Sequence, residues 1–226
     1  MMELAGDPAV PVTLVRSARA KRMSLRVSRL DGTVRLTIPS RCSEREAWGF
    51  LSDRADWVRK HVSNAPVAAD FGFGTEILFH GTPHKIISGP GRSVQVSDGL
   101  LAVGASDDTL RPKLKAFLKH QARRRLTDAS QHYARALDVS INRISLKDTR
   151  SRWGSCSSAG NLNYSWRLIM APPAVLDYVA AHEVAHRIEM NHSDRFWALV
   201  ADMFPDHRTA RKWLKDTGPQ LHAYDL

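Results

Sequence analysis

His182-Glu183-Val184-Ala185-His186, followed by a third histidine in Asn191-His192-Ser193, is the stretch on which the reading of this chain turns. On an α-helix the first and last residues of such a pentad lie about 40° apart around the axis and about 6 Å along it, so both imidazoles reach one cation. Glu183 projects about 60° from His186 on the same side, near enough to take a proton from a water held there. A shuffled chain of this composition produces the pentad roughly once in a hundred trials, and a histidine at the fixed offset of ten residues lowers that to about five in ten thousand. His192 also imposes a condition on the fold. On an unbroken helix it would stand about 15 Å from His182 along the axis, whereas a zinc–nitrogen bond is about 2 Å. The chain must therefore leave the helix after His186 and turn back. Asn191 tolerates the left-handed conformation that ends helices, and Ser193 is a good N-cap for a new helix over 194–203.

Working outward, Pro172-Pro173 opens the motif helix, whose apolar face is Leu176, Val179, Ala180 and Val184. Ahead of it the pattern predicts a strand at 143–146 and a hairpin with arms 149–156 and 161–169, turning at Ser158-Ala159-Gly160. A long amphipathic helix over about 110–137 sets Leu114, Phe117, Leu118 and Leu126 against a stripe of Lys115, Lys119 and Arg123. The N-terminal part alternates as strands at 12–15, 24–28 and 33–39, with a hairpin signal at Asp31-Gly32. Ser43 and Glu46 form a capping box for one helix carrying Ala47, Phe50, Leu51, Trp57 and Val58, which ends before Asn64-Ala65-Pro66. A connection over 66–74 leads to strands at 76–80, 84–87, 93–96 and 100–103. The fold class is α+β: a β-rich, mainly antiparallel region with one helix over 1–105, then a region over 106–226 with the motif helix, the preceding hairpin and C-terminal helices. Phe196, Trp197, Phe204, Trp213 and Leu214 are expected as the core behind the site. No internal repeat is apparent.

The 226 residues are 43% apolar and 25% charged, which excludes a disordered chain. No apolar run approaches the ~18 residues of a membrane span, and the N-terminus lacks the charged and apolar regions of a secretory signal. Cys42 and Cys156 show no CxxC spacing, so neither a disulfide scaffold nor a zinc ribbon is expected. Cys156 reads as a buried structural thiol, and His80, His84 and His120 read as surface or strand residues. The expectation is a cytoplasmic protein with free thiols and no membrane partner. Against 23 acidic residues stand 33 basic ones, a net charge of +10. They gather in acid-free stripes at 16–29, which holds Arg16, Arg19, Lys21, Arg22, Arg26 and Arg29, and at 111–125. Such stripes either attract nucleic acid or form solvated faces.

Thr149-Arg150-Ser151-Arg152-Trp153-Gly154-Ser155-Cys156, then Asn161-Leu162-Asn163-Tyr164-Ser165-Trp166-Arg167, Ala171-Pro172-Pro173, the pentad itself, Asn191-His192-Ser193 and Phe196-Trp197 together resemble the YgjP-like branch of the SprT-like zinc metallopeptidases. The resemblance implies a zincin-like catalytic region, Zn2+ held by His182, His186 and His192, Glu183 as the catalytic glutamate, and a peptide or protein substrate. It also implies an edge strand, for which 161–169 is the candidate, that pairs with extended substrate. Arg152 and Trp153 resemble the family's hairpin motif, with substrate contact, oxyanion stabilisation or, for Trp153, packing as their role. His207 is a second oxyanion candidate, or simply the start of a helix after Pro205-Asp206. The metzincins share the ten-residue ligand offset but carry glycine seven residues after the first histidine, where this chain has Glu189, so a different turn is expected. Two other functions compete: a metal-dependent hydrolase of nucleotides or other phosphorylated small molecules, and a nucleic-acid-associated protein with a structural zinc. Structural zinc usually takes four ligands, mostly cysteine, and phosphoryl hydrolases usually draw on clustered carboxylates, so the peptidase leads.

Overall fold

A computed structural model of the chain describes residues 2–6, 8–28, 31–63 and 71–226. The chain divides into two compact units, Met1–Ala68 and Ala69–Leu226. In the first, β1 (Met2–Leu4), β2 (Val10–Ser17), β3 (Ser24–Val27) and β4 (Val34–Pro39) form one sheet in the order β1-β2-β4-β3. β2 and β4 run parallel, and the outer pairs are antiparallel. Alternation sets the two faces: Val10, Val12, Val34, Leu36 and Ile38 are buried, while Pro11, Thr13 and Arg35 between them are exposed. The capping box forms as expected. Glu46 N–H donates to the Ser43 hydroxyl at 3.2 Å, and Ser43 N–H donates to the Glu46 carboxylate at 2.8 Å. The helix it starts is two helices, α1 (Glu44–Ser52) and α2 (Ala55–Ser63), because Ser52 and Asp53 favour caps over helix interiors and the Asp53 N–H closes the last turn on Gly49. Ala47 and Leu51 of α1 and Val58 of α2 complete the apolar cluster on the buried face of the sheet. The expected helix end at Asn64-Ala65-Pro66, most of the 66–74 connection and Arg29 lie outside the described residues.

The second unit opens with a sheet of the same design. β5 (Glu76–Phe79), β6 (Thr82–Ser88), β7 (Val94–Ser97) and β8 (Leu100–Val103) take the order β5-β6-β8-β7, again with a parallel central pair. Asp31-Gly32 and Asp98-Gly99 turn the corresponding last hairpins, with both glycines left-handed at φ 68° and 70°. Ser43 and Ser106 start the helices that follow. One topology thus occurs twice without a sequence repeat to announce it; four of the six strand pairs are antiparallel, as expected, and the two central pairs are parallel. The parallel pairs arise because the intervening strand, β3 or β7, pairs on the far side of its successor. α3 (Asp107–Ala136) buries Leu110, Leu114, Leu118, Ala122, Leu126 and Ser130 at four-residue intervals. Ile77, Phe79, Ile86, Leu101 and Val103 of the second sheet share one apolar cluster with α3 and the motif helix. The second sheet therefore belongs with α3 and the motif helix in one compact unit. On the polar face of α3, Arg111 pairs with Asp225 at 2.6 Å, Lys115 donates to the Leu226 carbonyl at 2.7 Å, and Arg123 donates to the Ile144 carbonyl at 3.3 Å.

β9 (Arg143–Lys147), β10 (Gly154–Cys156) and β11 (Asn161–Ser165) form a third sheet in the order β10-β11-β9. The segment expected as an open edge is the centre of this sheet. β11 pairs with β10 antiparallel and with β9 parallel, then passes into a 3-10 turn at Trp166–Met170. The open edge beside the motif is β10. α4 (Pro173–Ala185) carries the motif and is buried nearly all round, α5 (Asp194–Met203) and α6 (His207–Asp216) follow, and a 3-10 turn at Gly218–His222 closes the fold. No helix among the described residues is long and apolar enough to cross a membrane.

Arg167 ties three of these segments together. Its Nε donates to Asp148 at 2.7 Å, and its Nη1 donates to the carbonyls of Leu221 and Tyr224 at 2.8 and 3.1 Å. Burial alone would raise the Asp148 carboxyl, but the hydrogen bonds and charge of Arg167 outweigh it and hold that group below the usual range. Arg167→Ala is expected to cost about 3 kcal/mol, lowering Tm by roughly 6–12 °C in a calorimetric scan at neutral pH. Because the folded Asp148 pKa is depressed, the part of this stability that comes from the ion pair is present above the ordinary Asp pKa and fades as pH falls through the depressed value. The deficit of the variant should narrow in acid.

Candidate metal centre

α4 ends where the third histidine requires. His186 is its C-cap at φ −63°, ψ −11°, and Ile188 and Glu189 N–H groups both close on the Ala185 carbonyl at 3.0 Å. The chain then reverses, and Ser193 starts α5 with its hydroxyl accepting the Phe196 N–H at 3.4 Å. Asn191 does not take the left-handed conformation. Among the described residues only His80 and Asp138 do so outside glycine. Tightening of the last turn and the Ser193 cap redirect the chain instead.

The reversal brings the ring nitrogens of His182, His186 and His192 within 4.8 Å of one another. His182 Nε2 and His192 Nε2 stand 3.1 Å apart, close to the ~3.3 Å between two nitrogens bound tetrahedrally to one zinc-sized ion. His186 Nδ1 lies 3.0 Å from the Glu189 carbonyl. As a donor there, it keeps its proton on Nδ1 and leaves the Nε2 lone pair free for a metal. Phe196, fully buried on α5, packs against all three imidazoles at centroid distances of 4.5–4.8 Å and fixes their spacing. Burial, then the neighbouring histidines and Arg211, lower His182 to about 3, and burial likewise lowers His186. These two rings are therefore neutral at pH 7. Three converging imidazole nitrogens make a donor set that suits a borderline divalent cation such as zinc.

Glu183, 5% exposed, points from α4 across β10. Gly154 makes room for it: a Cβ at that position would lie 2.6 Å from Glu183 Cγ and 2.7 Å from Cδ. Burial raises the carboxyl to about 8, and the Arg152 guanidinium pulls in the opposite direction. The carboxyl and the three imidazoles share one cleft of about 240 Å³ with Gly154, Ser155, Cys156 and Met190.

The remaining sequence candidates fall around this cleft rather than in it. Arg152 is exposed and acts on Glu183 through its charge. Trp153 packs on His222 at 5.3 Å, and its ring fills the space beside Gly218. His207 begins α6, is buried, and stacks on Trp197 at 6.0 Å. Cys156 is only half-buried and lines the cleft, with its thiol donating to the Ser157 carbonyl at 3.3 Å and raised by burial. It is not the fully buried thiol expected. Of the other lining residues, Gly154 stands in the hairpin motif, but a glycine letter does not say which side chain occupies its vacated volume. Met190 carried no periodic signal, because it sits in the reversal itself.

A family model described as the YgjP-like metallopeptidase domain matches residues 21–217. The chain belongs to the YgjP-like family. No curated protein and no solved structure matches it. The YgjP-like match covers most of the chain, and a metallopeptidase domain implies a hydrolase that works with a divalent metal. His182, His186 and His192 are a group of this YgjP-like chain able to hold one.

Proposed function

We propose that this protein is a zinc-dependent peptidase in which His182, His186 and His192 hold the ion and Glu183 is the general base. The observation that carries this reading is the convergence of three imidazoles with one buried carboxyl in a single cleft. A zinc ion held by these three residues would lower the pKa of a water toward ~7 and polarise a carbonyl. Glu183 takes the proton of that water at its carboxylate and hands it to the leaving amine. Arg152 favours the ionised, proton-accepting form of Glu183. Free thiols at Cys42 and Cys156 suit the reducing cytoplasm.

The substrate approaches along β10. Ser165 N–H donates to the Trp153 carbonyl at 2.8 Å and Ser157 N–H to the Asn161 carbonyl at 3.0 Å. In an antiparallel ladder this turns 153, 155 and 157 toward β11 and leaves the N–H and C=O of Gly154 and Cys156 facing outward. An extended peptide pairing with those groups lies over the cleft, which supports peptide hydrolysis rather than phosphate-ester hydrolysis. The cleft is also poor in the carboxylates that phosphoryl sites favour, with Glu183 its one acid.

Gly154→Ala is expected to displace the Glu183 carboxyl and lower kcat by roughly 10²-fold, with KM and bound metal near wild type in steady-state and elemental measurements. The reading itself is tested by stripping the protein with a chelator. Hydrolysis of unfolded casein should be lost and return with stoichiometric zinc, while nucleoside triphosphates stay intact throughout. Cleavage of the nucleotides with casein untouched would replace the peptidase by the phosphorylated-small-molecule hydrolase.

A further inference from the structure

The first unit carries a charged surface that the metal cleft does not use. Arg26 on β3 and Arg35 on β4 are directly opposed in an antiparallel pair, on the face of the sheet away from the apolar cluster. Directly opposed cross-strand side chains have Cβ atoms about 5 Å apart, and like charges so placed destabilise a sheet. Both are exposed, and neither has an ion pair or a hydrogen bond among the described residues. Nothing among those residues compensates the repulsion. Thr13 on the neighbouring β2, Thr37 further along β4 and Ser24 on β3, opposite Thr37, present hydroxyls on the same face. Arg19, Lys21 and Arg22 stand exposed in the loop that joins β2 to β3.

Acidic groups do little to offset this charge. Glu3 shares the face but sits on β1, two strands from β4, or about 10 Å at ordinary strand spacing. That is already about one Debye length at 0.1 M salt. Asp31, at the hairpin tip, accepts hydrogen bonds from the Thr33 N–H and hydroxyl. The second basic stripe differs, since Arg111, Lys115 and Arg123 hold the C-terminal residues and β9.

We propose that this sheet face binds the phosphate backbone of nucleic acid. Adjacent guanidinium groups donate to phosphate oxygens in the geometry arginine favours, and the flanking hydroxyls donate to the same oxygens. Among the described residues that polar face offers no exposed aromatic ring to stack on bases, so binding is to the backbone and indifferent to sequence. The inference rests on the first unit alone and stands or falls independently of the peptidase reading.

The test uses the full chain and a fluorescein-labelled mixed-sequence 20-base-pair DNA duplex, with anisotropy titrations between 50 and 200 mM salt. Wild type should bind, with equal affinity for a second duplex of unrelated sequence. Arg26→Ser/Arg35→Ser should bind more weakly, with the slope of log K against log salt reduced by about two, near 0.9 for each phosphate no longer neutralised. Its melting temperature should equal or exceed that of wild type, because the repulsion is gone. Lys119→Ser/Arg124→Ser on α3 should leave the slope unchanged. The proposal is overturned if wild type fails to bind the duplex, if phosphatidylserine vesicles are bound in its place, if the α3 variant alone loses the salt slope, or if the sheet variant melts lower.

Discussion

Glu183→Gln is expected to reduce peptide hydrolysis by roughly 10²–10⁴-fold, the usual contribution of a positioned general base, while leaving the metal content and the fold intact. Glutamine has the same shape and fits the space that Gly154 leaves open. It cannot accept and release the proton that the reaction moves. The same substitution is mild for stability. Burial already favours the uncharged form of Glu183 in the metal-free chain, so a neutral isostere removes no strong ionic interaction from the fold. The measurements are kcat on casein, elemental analysis and a thermal melt. Turnover at the wild-type rate in a metal-loaded variant would remove Glu183 from the chemistry and leave Arg152 without a group to tune.

The helices and most strands of this chain were readable because their signals are local. The Ser43–Glu46 capping box, the four-residue spacing of Leu110, Leu114 and Leu118, and Pro173 at the first turn of α4 each depend on a few neighbouring residues. The convergence of the three histidines was readable for another reason. The HExxH spacing makes sense only on a helix, and His192 makes sense only if that helix ends, so chemistry predicted a break that propensity alone would not place. What escaped was the order of strands. Nothing local tells β3 to pair beyond β4, or β11 to lie between β10 and β9, because those choices are made by packing against distant residues. The mistaken substrate edge and the missed topological repeat both follow from this. So does the packing of the strands over 76–103, which resemble the first sheet locally yet join α3. Gly154 belongs to the same class, as its role is defined by a side chain 29 residues away that only the tertiary fold brings near.

In the proposed centre, His192 is the ligand on which metal binding would depend most, because it reaches the other two histidines only through the reversal between α4 and α5. Its Nε2 faces that of His182 at 3.1 Å, and Phe196 packs beneath both rings. Removing this exposed imidazole should cost little stability, since α5 keeps its Ser193 cap and its buried Phe196 and Val200. The metal should be lost. Altering a group that merely supports a ligand typically weakens binding 10–100-fold, so loss of the ligand itself is expected to exceed roughly 100-fold. The direct measurement is zinc content by elemental analysis of wild type and His192→Ala, each loaded with zinc and dialysed against a weak chelator. A three-histidine centre predicts about one zinc per wild-type chain and almost none in a variant that remains folded by circular dichroism. A folded His192→Ala protein that keeps its full complement of zinc would contradict it.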